Sequence, residues 1–268
     1  MSDQWDCHAH VFGPYSKYPL AEGRSYTPHE ALLGNYLSLL QSLGLNKGVL
    51  VHPSAYGSNY ELLLDCLQQE KSLRGVIVIN ANTPIELKAL RAKGVRAARF
   101  SARSGSSANF FGSASFDDFT QLKHRLSDSG LHAELWTDCK MLPQLELELL
   151  NSPVPVVIDH MGGFDVNSGI QDPGFQCLLR LMNSGKVWLK LCAYRNLLQE
   201  SHIDNGRPFH EKLIATNPDR LVWGTDWPHL NVSPPPSTQS LLDTLVGWTP
   251  NERVLQKILS SNPSELYE

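Results

Sequence analysis

The amino-acid sequence predicts an α/β protein, a (β/α)8 TIM barrel in a single domain over residues 1–268 with closing C-terminal helices. Three observations predict it. Eight short β-rich runs recur along the chain, helical stretches alternate with them, and several runs are apolar almost throughout, as parallel strands covered on both faces must be. Roughly 250 residues of such alternation matches the length of a (β/α)8 barrel. A doubly wound open sheet is the rival, weakened because no Gly-x-Gly-x-x-Gly follows the first strand.

The opening strand carries Asp6-Cys7-His8-Ala9-His10. Positions two apart on a strand share a face, so Asp6, His8 and His10 are expected to point the same way. Two imidazoles aimed at one spot make a donor, an acceptor or a metal claw. A loop over 12–26 follows, and then Thr27-Pro28-His29-Glu30 reads as a helix start. Thr27 caps, Pro28 takes the first helical position and Glu30 reaches back to the cap amide. The same grammar recurs at Thr83-Pro84-Ile85-Glu86 and Thr249-Pro250-Asn251-Glu252, and in looser form at Ser115-Phe116-Asp117-Asp118. The later strands are read at 48–54, 75–80, 94–100, 131–136, 154–159, 187–191 and 221–224. Helices are read at 31–43, 60–69, 85–92, 116–127, 141–150, 175–182 and 208–215, and residues 237–268 form closing helices, the last begun by Asn262-Pro263.

Composition narrows the function. A net charge of -4 without a basic run argues against nucleic acid as a partner, while a few arginines can still serve a small anionic substrate. The chain has no apolar run of membrane-spanning length, and its polar start lacks a signal peptide's features, so a cytoplasmic enzyme away from membranes is expected. Five scattered cysteines without a Cys-x-x-Cys indicate reduced thiols, mostly buried, rather than a disulfide framework or a zinc ribbon.

Barrel enzymes gather function at the C-terminal ends of strands, and here those ends are polar. They offer His8 and His10, His52 and Ser54, Asn80, Arg99 and Arg103, Glu134, Trp136 and Asp138, Asp159 and His160, Lys190 and Arg195, and Asp226 and His229. His52 and His132, single histidines beside apolar residues, read as core or rim groups. Lys190 and Arg195 have opposite parity unless a bulge intervenes. Arg99 and Arg103 have matching parity, and among Ser101, Ser104, Gly105 and Ser106 they suit an anion-binding loop. His160 and Asp226 are the sharpest candidates, each following an apolar strand and preceding a Gly- or Pro-marked turn.

An ordered set of motifs completes the reading: Asp-x-His-x-His-Val-Phe-Gly-Pro at 6–14, Tyr26-Thr27-Pro28, His52-Pro53-Ser54-Ala55-Tyr56-Gly57, Asp159-His160-Met161-Gly162 and Gly224-Thr225-Asp226-Trp227-Pro228-His229. Over nearly the whole chain these resemble the amidohydrolase superfamily. Within it they look most like the 2-pyrone-4,6-dicarboxylate lactonase group, which includes sugar-lactone and sulfomuconolactone hydrolases of aromatic or sugar-acid catabolism. The resemblance implies a hydrolase of a small carboxylated lactone. In it Asp226 is the general base that activates water, and His8, His10 and His160 polarise the carbonyl. Tyr26, Ser54, Arg99, Arg103 and Arg195 then hold substrate carboxylates and ring oxygens. Two positions depart from the dicarboxylate lactonase: Trp136 stands where that enzyme has a tyrosine, and Gly163 where it has an arginine. Both changes remove polar groups from the pocket, with Trp136 left lining it, and imply a different or less charged lactone.

The superfamily's metal sites add a strand-four lysine or glutamate or a strand-five histidine, and Arg99 and Trp136 are not ligands. A site that requires no cofactor is therefore favoured. The alternative is one divalent cation such as zinc or manganese on His8, His10 and Asp226 with His160 nearby, in a metal-dependent decarboxylase of an aromatic or muconate-type acid. A third reading is a non-catalytic anion-binding barrel. The loops 164–171 and 199–206 are candidate lids.

Overall fold

The computed structural model describes residues 3–105, 110–197 and 202–268. Eight strands form one parallel sheet in sequence order: β1 (Trp5–Ala9), β2 (Lys47–Val51), β3 (Leu73–Ile77), β4 (Val95–Ala102), β5 (His132–Thr137), β6 (Val156–Ile158), β7 (Val187–Leu191) and β8 (Leu221–Trp223). Between them lie α1 (Leu33–Ser42), α2 (Glu61–Gln69), α3 (Leu87–Ala92), α4 (Phe116–Asp128), α5 (Leu142–Leu150), α6 (Pro173–Asn183) and α7 (Arg207–Thr216). Then α8 (Thr238–Trp248), α9 (Glu252–Gln256) and α10 (Asn262–Tyr267) close the chain. The predicted (β/α)8 barrel and its closing helices are borne out. The last seam, between β8 and β1, is joined at the strand ends, where Asp226 N donates to His8 O at 2.8 Å and His10 N donates to Trp227 O at 2.8 Å.

The strands are apolar on both faces because each face meets a different core. Val49, Val51, Val76, Ala97, Val157, Trp188 and Val222 pack with Trp5, Cys7 and the C-terminal Tyr267 inside the barrel. Their neighbours Leu50, Ile77, Ala98, Ile158 and Leu189 belong to the larger cluster under the helices. Burying each large aliphatic side chain contributes about 1.5–3 kcal/mol. The inner row turns charged toward the strand ends, since Arg99, Glu134, Asp159 and Lys190 have the same parity as Ala97, His132, Val157 and Trp188. All five cysteines are free and buried.

Four expectations need correction. Asp6 does not share a face with His8. The β1–β2 register shifts between Asp6 and Ala9, and such a bulge re-aims side chains. Asp6 then meets Tyr36 OH of α1 at 3.0 Å and Thr225 Oγ1 at 2.7 Å, while His8 enters the site. Thr27, Thr83 and Thr249 do not start helices; at the last of these Asn251 is the cap, its Oδ1 accepting from Arg253 N at 3.0 Å ahead of α9. Glu30 accepts from Tyr15 N instead of a cap amide, Ala31 pairs with Phe12, and α1 begins at Leu33. Thr83 bonds Asn80 in a turn, so α3 begins at Leu87. The looser box at Ser115 is real: Ser115 Oγ accepts from Asp118 N at 3.1 Å and Asp118 Oδ2 accepts from Ser115 N at 2.8 Å. Asp118 also receives Ala81 N at 2.8 Å.

Candidate active site

The Asp226 carboxylate lies at the mouth of β8, with His8, His10 and His160 around it. His8 Nε2 and His10 Nε2 stand 3.8 and 3.6 Å from Oδ1, and His160 Nε2 stands 3.6 Å from Oδ2. Oδ2 accepts from Tyr194 OH at 2.7 Å and from Arg195 Nε. Left-handed backbone makes this convergence. Asp226 has φ +57°, and the turn after β6 takes His160 and Met161 through φ +49° and +54° before Gly162 and Gly163. For the non-glycine residues this geometry costs of order 1–2 kcal/mol each. Asn196 holds the turn through His160 O at 2.9 Å, and Asp6 holds the start of the β8 loop through Thr225 N at 2.8 Å. Gly224 is obligatory for the approach of β1, since a Cβ there would lie 2.6 Å from His8 Cβ.

Beneath the histidines runs a chain of buried charges. Lys190 Nζ bonds Glu134 Oε2 at 2.5 Å and stands 3.3 Å from Asp159 Oδ1, whose other oxygen accepts from Arg99 Nε at 2.7 Å. Tyr267 OH donates to Glu134 Oε1 at 2.8 Å from the barrel floor. Burial would neutralise Lys190, but Glu134 and Asp159 outweigh it and hold the ammonium charged. Burial likewise works to raise the Asp226 pKa. The His10 and His160 imidazoles beside it and the Arg195 charge prevail, so the carboxyl stays well below its usual range. Burial and the Lys190 charge push His8 well below the ordinary histidine value, so it is neutral at pH 7.

A cavity of about 620 Å³ opens above this ring, with His10, His160, Arg195 and Asp226 in its wall. Tyr26, Ser54, Arg99, Arg103 and Trp136 also line it. The Arg99 and Arg103 guanidinium carbons stand 5.3 and 4.6 Å from the centre of the Trp136 ring, within cation–π range. Asp138 fixes the segment behind Arg103, accepting from Ser104 N at 2.7 Å and Oγ at 2.8 Å. Ser106, expected in that loop, lies outside the described residues. Ser54 Oγ reaches Tyr26 OH at 3.5 Å. Arg195 lines the cavity and also holds the Asp226 carboxylate. Its Nε is committed to Asp226 and its Nη1 to Leu230 O at 2.8 Å, because the turn 193–196 after β7 swings it across the ring. No side chain can replace Gly163 without movement: with φ +55°, a Cβ would meet Thr137 O and Asp138 Cα at 3.0 Å.

A sequence model of the amidohydrolase family matches residues 5–268. The chain belongs to the amidohydrolase family. It is 32% identical over 274 residues to a 4-sulfomuconolactone hydrolase of Rhizobium radiobacter, covering 98% of this chain and 89% of the relative. It is 30% identical over 275 residues to a 2-pyrone-4,6-dicarboxylate hydrolase of Comamonas testosteroni, covering 98% and 89%. Among solved structures, a probable 2-pyrone-4,6-dicarboxylic acid hydrolase of Acinetobacter baumannii with citric acid bound superposes with a TM-score of 0.84 at 27% identity, covering 99% of both chains.

In this amidohydrolase the four expected catalytic residues come together, while several partners escaped the sequence reading. Glu134, Asp159 and Lys190 were visible as polar strand ends without a role, and the parity of Lys190 with Trp188 was the available signal. Tyr194 had none, since it follows the strand in a short turn. His52 and His132 are bound in the frame, His52 through Gly57 O at 2.8 Å and His132 against the Tyr267 ring. Residues 199–201 of one candidate lid lie outside the described residues.

The ligand atoms of His8, His10 and Asp226 lie within 4.8 Å of one another, close enough for a cation. The chemistry behind them fits one poorly. Metal-bound histidines are backed by a carboxylate or carbonyl through the remote nitrogen. His10 meets that pattern, with Nδ1 2.8 Å from Val51 O. His8 has the Lys190 ammonium 3.2 Å from Nδ1, nearer than the Asp159 carboxylate at 3.4 Å, and Arg195 already neutralises Asp226.

Proposed function

We propose that this amidohydrolase opens a small carboxylated lactone by adding water, using its own side chains and no metal. The observation that carries the reading is the buried, ionised Asp226 facing three imidazoles at 3.6–3.8 Å in the wall of an arginine-bearing cavity. The names of its relatives, hydrolases of sulfomuconolactone and of pyrone dicarboxylate, support the substrate class.

In the proposed reaction Asp226 takes a proton from water as the oxygen attacks the lactone carbonyl carbon. Protonated imidazole nitrogens donate to the oxyanion, each donor contributing about 3 kcal/mol to the transition state. Collapse breaks the ring carbon–oxygen bond, and the proton on Asp226 passes to the departing ring oxygen. The products are a carboxylic acid, which ionises, and an alcohol or, from a pyrone, an enol. Arg99 and Arg103 hold the substrate's acidic group, while Trp136 and the bare Gly163 leave less polarity than a dicarboxylate site offers. A lactone with a single acidic group suits this cavity.

The test is ring opening of a panel of pyrones, muconolactones and aldonolactones by metal-free protein. We expect turnover of at least one and a fall in kcat of about 10²–10⁴-fold in Asp226→Asn. No turnover of any member, or full activity of the variant, overturns the reading. Stoichiometric zinc or manganese with chelator-sensitive activity would transfer the site to metal-dependent chemistry.

A further inference from the structure

We propose that Lys190 is a positioning residue that sets His8 and His10 in opposite tautomers, His8 with its proton on Nε2 and His10 with its proton on Nδ1. The inference deepens the lactonase reading and rests on it for its kinetic arm alone.

The assignment follows from partners that can act in only one sense. A backbone carbonyl only accepts, so His10 Nδ1, 2.8 Å from Val51 O, carries a hydrogen, and in the Nδ1–H tautomer a lone pair at Nε2 faces Asp226. An ammonium only donates. Lys190 Nζ lies 3.2 Å from His8 Nδ1, so that nitrogen accepts and the His8 proton sits on Nε2, 3.8 Å from Asp226 Oδ1. Asp159 Oδ1 is the competing partner, 3.4 Å from the same Nδ1, yet it makes no aligned hydrogen bond. Lys190 keeps its charge because it is walled in by Glu134 and Asp159, all three buried.

The two histidines of one motif thereby take different tasks. His8 donates from Nε2, a buried atom with no hydrogen-bond partner among the described residues, toward the oxyanion of the opening ring. His10 accepts, and can hold a hydrogen of the attacking water against Asp226. The proton on Nε2 also blocks the lone pair that a metal would need from His8. Without Lys190 the His8 proton moves to Nδ1 and onto Asp159, and the oxyanion loses a donor.

The experiment is nitrogen NMR of the imidazoles in metal-free protein labelled with 15N-histidine, assigned with His8→Gln and His10→Gln. We expect the Nε2–H form for His8 and the Nδ1–H form for His10 in the resting protein. The Nδ1–H form at His8, or one equivalent of added zinc bound through His8, overturns the inference whatever the activity. The charge-balanced double variant Glu134→Gln with Lys190→Met is the second arm. His8 should switch tautomer, with kcat falling roughly 10²-fold and KM moving less than about threefold. An unchanged tautomer in a folded double variant also overturns it, and if that variant does not fold the wild-type spectrum decides. A substrate panel without turnover would remove the lactonase reading and leave the tautomers standing.

Discussion

Asp6 sits in surroundings dry enough that burial raises its pKa to about 6, against hydrogen bonds from Thr225, His8 and Tyr36. Its folded value lies above the ordinary 3.8 of a free aspartate, so the folded state holds the proton more tightly through that window. The contribution of Asp6 to stability is therefore full below pH 3.8 and is lost as pH rises through about 6. We expect the unfolding free energy of wild type minus that of Asp6→Asn, from urea titrations, to fall between these pH values and then level; a flat difference would refute the assignment. Asp226 has the opposite sign. Its depressed value gives stability above the ordinary carboxylate range that is lost in acid. Sequence reading placed Asp226 and His160 well because a strand end fixes where they sit. It misjudged Asp6 because a one-residue bulge reverses a side chain without leaving a mark in composition.

The turns outside the barrel strands decide what the site can recognise. The His160–Gly163 turn is left-handed throughout, and Gly163 packs on the end of β5 at Thr137 and Asp138. Gly163→Arg should cost about 1–3 kcal/mol of stability in urea unfolding, from strain at φ +55° and the 3.0 Å contacts of its Cβ. The new guanidinium should leave the preference for single-acid lactones unchanged; a dicarboxylate specificity with full stability would show that the turn can reshape. Turns were also the least legible elements. Helices and strands announce themselves by apolar spacing, which integrates many residues. The Thr27 and Thr83 starts rest on one local signal that a turn uses equally well: Thr83 bonds Asn80, Thr27 accepts from Arg24, and the pairing of Ala31 with Phe12 keeps the chain extended until α1 begins. The bond from Arg195 to Asp226 was not legible for the same reason, because the turn 193–196 carries the side chain there.

At the scale of the molecule, the alternating apolar runs sufficed to read the barrel, because parallel strands between two cores leave few other sequences open. The charged layer from Tyr267 through Glu134 and Lys190 to His8 was not legible, since it joins residues from four separated parts of the chain. Closure of the barrel depends on the same loop that carries Asp226, the proposed general base. The β8–β1 seam is held by the Asp226 and His10 amides and by the Asp6–Thr225 bonds. Hydrogen exchange followed by mass spectrometry should show these amides exchanging faster than those of β4 and β5, and slowing when an anionic substrate analogue is added. Equal protection of both regions in the free protein would refute this. On warming, then, loss of activity and parting of the seam should share one rate constant, so that the catalytic lifetime of this enzyme is set by how long its barrel stays shut.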